Sequence, residues 1–115
     1  MKESTLWFMF VMAGLLILVT LTIHMGVMHL DDILGFGDVL SYQAAAERGK
    51  DIFYTSVYTV LLGAALYHGL YGLRTILCEL SLPRGLEKFF SWAFLLFGLG
   101  VFVYGFWVIK AAYSL

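Results

Sequence analysis

Between Leu6 and Leu30 the chain runs for about 25 residues in which His24 and His29 are the only members of the Asp, Glu, Lys, Arg and His set. After a polar stretch the pattern returns. Ile52 to Leu73 gives about 22 residues interrupted only by His68, and Phe89 to Ile109 gives about 21 with no such residue. Each run exceeds the roughly 20 residues a helix needs to cross a hydrocarbon core of about 30 Å. The pattern predicts an all-α integral membrane protein. Its single domain, residues 1–115, holds three transmembrane helices at about 6–30, 52–78 and 89–110. The first run is too long for the apolar core of a signal peptide and no small-residue cleavage site follows it, so it is expected to be retained as a span.

The connections divide in charge. Asp31 to Asp51 carries five acids against two bases, and its glycines favour irregular backbone before a short amphipathic segment around Ser41 to Arg48. Glu79 to Lys88 is short, and Pro83 with Gly85 predicts a turn there. Arg74, Arg84 and Lys88 gather near this second loop and Lys2 lies at the N-terminus, which the positive-inside rule assigns to the cytoplasm. The first loop and the C-terminus are then expected outside, with Lys110 opposing. The absence of an Arg- and Ser-rich transit segment favours a bacterial or archaeal cytoplasmic membrane.

Composition narrows the classes further. Hydrophobic residues make up 62% of the chain and charged ones 13%, and the formal net charge of −1 gives no basic field for nucleic acid. The single cysteine, Cys78, excludes an internal disulfide and a Cys-based zinc or iron–sulfur site within this chain. No dinucleotide fingerprint is present.

Three histidines remain to be explained. With the second helix ending near Glu79, His68 falls roughly 16 Å from the inner end, and His24 on the oppositely directed first helix falls roughly 27 Å in. His29 then lies at the outer interface beside Asp31 and Asp32. One hydrogen bond to a neighbouring helix satisfies a neutral imidazole in a membrane. Intramembrane ionisable groups otherwise line an ion or proton path or hold a cofactor. Ala64, Ala65, Gly69 and Gly72 surround His68 with small side chains, which leaves room for a broad, flat group such as haem and equally suits close helix packing. In the third run Gly98, Gly100 and Gly105 among bulky aromatics suggest close packing, with Tyr104 and Trp107 near the outer interface.

The segment "HGLYGLRTILCEL", His68 to Leu80, resembles the H-x3-G-L/M…D-Y segment of the cytochrome b membrane-anchor subunits of succinate dehydrogenase and fumarate reductase (succinate:quinone oxidoreductase, complex II). "HMGVMHL", His24 to Leu30, looks like the end of the first helix in anchors of the two-subunit, two-haem type. The likeness covers the length, the helix count and these motifs of the small three-helix anchor. It implies His68 as axial ligand of a proximal haem b and His24 as ligand of a distal one, with His29 the alternative distal ligand. Gly72 would match the motif glycine, Arg74 would pair with a haem propionate, and Glu79, three turns below His68, would stand at the family aspartate as a quinone-site or proton-relay residue.

The same likeness implies partners: a second membrane-anchor subunit that shares the haems and forms one bundle with this chain, an iron–sulfur subunit and a flavoprotein subunit. The chain would be a non-catalytic electron-transfer subunit of the respiratory chain, between the iron–sulfur protein and membrane quinone. The family's Asp-Tyr reads Glu79-Leu80 here, so the quinone-binding phenol is missing from its usual place. Two other readings stand beside this one: a small proton or solute transport subunit relaying through His24, His68 and Glu79, and a haem-free structural anchor of another respiratory complex.

Overall fold

The structure is a computed structural model that describes residues 2–35 and 37–115. Its elements follow from the apolar runs. Three long helices form, α1 (Glu3–Ile33), α3 (Ile52–Cys78) and α4 (Arg84–Tyr113), with the short α2 (Tyr42–Gly49) in the first connection. All three long helices are apolar enough to cross a membrane. At 27 to 31 residues each, they extend to roughly 40–46 Å, longer than the hydrocarbon core, so their last turns reach the interfaces.

Local chemistry sets the ends. Ser41 caps α2 by accepting from the Ala44 amide at 3.2 Å, and Asp51 caps α3 by accepting from the Phe53 amide at 2.8 Å. Gly35, at φ +74°, turns the chain out of α1, a conformation open to glycine at no steric cost. The second loop differs from the expected Pro83–Gly85 turn. The reversal is made at Ser81, whose φ is +58°, while Pro83 precedes the first turn of α4 and Gly85 lies inside that turn. Proline suits this place because it stands just ahead of the first helical residue, where its fixed φ, −55° here, interrupts no helical hydrogen bond.

The helices form an open layer with α3 in the middle. α3 packs on α1 along one side and on α4 along the other, and α1 and α4 make no packing contact among the described residues. α2 lies against the start of α3 and the end of α4, where Gly49 approaches Ala112. Close approach of α3 and α4 depends on glycine. A Cβ at Gly98 would meet Leu70 Cδ1 at 2.8 Å, and one at Gly105 would meet Leu62 Cδ2 at 2.6 Å. Among the described residues only Ala13, Val57, Ala64 and Thr20 are buried, whereas Trp7, Phe8, Leu18, Phe97 and Trp107 are exposed. In water so much exposed apolar surface would be untenable; against lipid or a partner helix it is the expected outer surface of a membrane bundle.

Candidate functional site

His68 is fixed by α1. Its ring lies on the ring of Phe10, centroids 4.2 Å apart and planes 3° from parallel, and Nδ1 is 3.0 Å from the Phe10 carbonyl oxygen. A carbonyl only accepts, so this contact puts a proton on Nδ1, and a neutral imidazole in this pose keeps its lone pair on Nε2. Gly14, one turn on, lets the ring sit there: a Cβ at that position would be 3.2 Å from Cε1 and 3.3 Å from Nδ1. Nε2 makes no hydrogen bond to any described residue.

The small residues around His68 divide in two. Ala64 is buried in packing, and Gly72 makes room for Phe10, whose Cε2 would be 3.1 Å from an added Cβ. Ala65 and Gly69 instead face outward, with nothing within 4 Å of a Cβ built on Gly69. The open surface of α3 next to His68 in sequence therefore lies over Ala65 and Gly69, and not at Gly72.

His24 occupies a second level. It meets Tyr58 edge-on, centroids 5.2 Å apart at 85°, and is half-buried. Ten residues of α3 separate Tyr58 from His68, about 15 Å at 1.5 Å per residue. Tyr58, Ala65, Gly69 and Gly72 run along one strip of α3, and both histidines border it. His29 is exposed near the C-terminal end of α1.

The end of the layer where α1 begins and α3 finishes holds a network that the sequence did not announce. Arg74 Nε donates to Ser91 Oγ at 2.7 Å, and its Nη1 is 3.5 Å from Glu3 Oε1. The Tyr71 hydroxyl donates to Glu3 Oε2 at 2.7 Å, and that of Tyr67 to the Leu6 carbonyl at 2.7 Å. Arg74 thus ties α1, α3 and α4 together. Glu3, Ser91, Phe10 and Gly14 were not singled out by spacing. The nearest signal was Glu3, the one acid ahead of the first apolar run. Glu79 is exposed at the end of α3 and is not hydrogen-bonded to either histidine.

Because α1 and α4 stand apart, a groove of about 460 Å³ opens over α3, lined by Leu6, Gly63, Leu66, Leu70, Phe94 and Phe102 and ending at Tyr71, Arg74 and Ser91. It lies on the side of α3 away from the Tyr58–Gly69 strip. A second, polar hollow of about 600 Å³ adjoins it at Tyr71 and Arg74 and is lined by Glu3, Trp7, Thr75, Cys78, Glu79 and Glu87.

Chemically, His68 suits an axial ligand of an iron porphyrin. Histidines that bind metal commonly donate their other ring N–H to a carbonyl or carboxylate, which fixes the tautomer and raises ligand basicity. The same bond would also satisfy a histidine with no ligand. No cluster of three metal-binding side chains occurs among the described residues, and a bis-imidazole haem shared between two chains requires only one donor from each at each level. No family model, no curated protein and no solved structure matches the chain.

Proposed function

We propose that this chain is a haem b-binding membrane anchor of a succinate:quinone oxidoreductase, carrying electrons between a peripheral iron–sulfur subunit and membrane quinone. The observation that carries the reading is the pose of His68: Nδ1 held by the Phe10 carbonyl, Nε2 unpaired, and open space over Ala65 and Gly69. The second histidine, about 15 Å along the bundle, and the likeness of "HGLYGLRTILCEL" and "HMGVMHL" to two-haem anchors support it.

His68 would hold the proximal haem and His24 the distal one, with the opposite imidazole of each pair supplied by a second anchor subunit. Bound in this way, haem supplies one-electron exchange between ferric and ferrous iron without an open position for dioxygen. This chain's residues contribute orientation: Phe10 fixes the tautomer and plane of His68, and Gly14 sets how closely the ring approaches α1. In this reading Arg74 clamps the three helices through Ser91 and Glu3, and the propionate contact is the role that the likeness implies for it.

A relay through His24, His68 and Glu79 draws no support from the geometry. Among the described residues no hydrogen bond links the three, and Thr20, the buried hydroxyl of α1, bonds back to Leu16. The reduced-minus-oxidised optical spectrum of the complex purified from membranes tests the reading. A b-type absorption is expected, together with copurifying flavoprotein and iron–sulfur subunits; a complex with no such absorption would overturn it.

A further inference from the structure

We propose that the groove over α3 and the hollow beside it together form a binding site for one zwitterionic aminophospholipid. This goes beyond the electron-transfer reading and does not depend on it. The two recesses meet at Tyr71 and Arg74 and differ sharply in chemistry. The groove is walled by leucine, phenylalanine and glycine and runs along α3 from Arg74 to Gly63, eleven residues or about 16 Å. That is the depth of one leaflet, half of a hydrocarbon core of about 30 Å. It suits one acyl chain.

The hollow sits where a headgroup would lie, at the inner helix ends, with Trp7 on its wall as interfacial tryptophans are commonly placed. Its charge decides the occupant. Glu3, Glu79 and Glu87 line it against Arg74 alone, and Arg74 already meets Glu3 at 3.5 Å. An anionic headgroup would face three carboxylates and a single guanidinium that also meets Glu3, and is disfavoured. An ethanolamine headgroup complements both signs: its phosphate can lie at the Arg74 junction, where Nη2 has no partner among the described residues, and its ammonium can donate to Glu79 and Glu87. An uncharged amphiphile would fill the groove but gain nothing from the carboxylates.

The test is native mass spectrometry of the full-length chain, purified in its complex and relipidated with equal phosphatidylethanolamine and phosphatidylglycerol. One phosphatidylethanolamine is expected to be retained with a preference of at least about fivefold, the scale of one charge interaction at a membrane surface. The double variant Glu79→Gln, Glu87→Gln should lose the preference, and Leu95→Trp, which fills the groove from an exposed position on α4, should lower retention of either lipid. Helicity by circular dichroism checks that each variant folds, and because the two variants alter different recesses, failure of one to fold leaves the other decisive. Equal or greater retention of phosphatidylglycerol, retention of a quinone in place of lipid, or a preference unchanged in the double variant would each overturn the proposal.

Discussion

Phe10 holds His68 twice, with its ring stacked at 4.2 Å and with its backbone carbonyl 3.0 Å from Nδ1. The carbonyl belongs to the helix and survives any substitution of the side chain. The two contacts can therefore be separated experimentally. Phe10→Leu keeps the hydrogen bond and removes the stack, which also empties the space beside Gly72. A loss of about 1–3 kcal/mol is expected, since an aromatic pair contributes about 0.5–1.5 kcal/mol beyond burial and a partly filled site adds to it. Thermal unfolding in detergent micelles measures this, and a variant as stable as the parent would show that the stack is incidental.

Gly14 is predicted to be irreplaceable in a way that Gly26 is not. A methyl group at Gly14 would press on Cε1 and Nδ1 of the imidazole at 3.2 and 3.3 Å, and the ring must shift by a few tenths of an ångström within its contacts to Phe10. Nothing lies within 4 Å of a Cβ at Gly26. Gly14→Ala should therefore destabilise by about 1–3 kcal/mol, as overpacking does, whereas Gly26→Ala should be neutral or stabilising by up to about 1 kcal/mol from helix propensity alone. Comparing the two midpoints in one micelle system decides it.

The seam between α3 and α4 predicts a rescue. Gly105→Ala would drive a methyl group to 2.6 Å from Leu62 Cδ2 unless that side chain changes rotamer, at a cost of about 1 kcal/mol. In the background of Leu62→Ala the obstruction is gone and the same substitution should cost close to nothing. A double-mutant cycle reads the coupling directly, and an additive result would mean that the helices do not meet there.

Around Arg74, magnitudes rank the polar contacts. Glu3 is 67% exposed, so its pairing with Arg74 is screened and worth at most about 1 kcal/mol. The Tyr67 hydroxyl, half-buried on the Leu6 carbonyl, is shielded from competing water. Tyr67→Phe is expected to cost about 1 kcal/mol and Tyr71→Phe less, with only the latter difference fading at high salt. Hydrogen exchange at the first turns of α1 follows both.

Ser81 carries backbone strain that a single substitution can relieve. Its φ of +58° costs an L-residue roughly 1–2 kcal/mol relative to glycine. Ser81→Gly should stabilise the chain by about 1 kcal/mol, the greater chain entropy of unfolded glycine offsetting part of the gain. An unchanged midpoint would count against the left-handed turn.

How much of this was readable beforehand follows from the physics of each feature. The three long helices were legible because apolar length against a fixed bilayer thickness leaves little choice, and the Ser41–Arg48 segment became α2 with Ser41 as its cap. The second turn was misplaced: Pro83 and Gly85 are turn residues by habit, yet proline also opens helices, and which role it takes depends on the backbone before it. The site was half legible. A histidine in an apolar run announces itself, but Phe10 and Gly14 look like any phenylalanine and glycine of a span, because all faces of α1 are apolar and periodicity does not say which one meets α3. Gly72 shows the same limit from the other side, since a small residue next to His68 serves Phe10 instead of an open pocket.

The two histidines yield the sharpest functional prediction. They lie about 15 Å apart along the layer and share no contact, so each should act on its own level. Under the proposed function, His68→Ala in the purified complex is expected to remove one b-type component of the reduced-minus-oxidised spectrum and His24→Ala a different one, with His29→Ala altering neither, because His29 is exposed near the C-terminal end of α1. Structural damage alone would behave differently. His68→Ala leaves a cavity against Phe10 and Gly14 and would lower stability whether or not haem binds, so the decisive readout is which spectral component disappears, with overall yield as the control. Loss of both components from either single change would contradict the assignment of separate levels. Loss of the distal component from His29→Ala, with His24→Ala silent, would move the distal ligand to the outer interface and leave His24 as a packing residue against Tyr58.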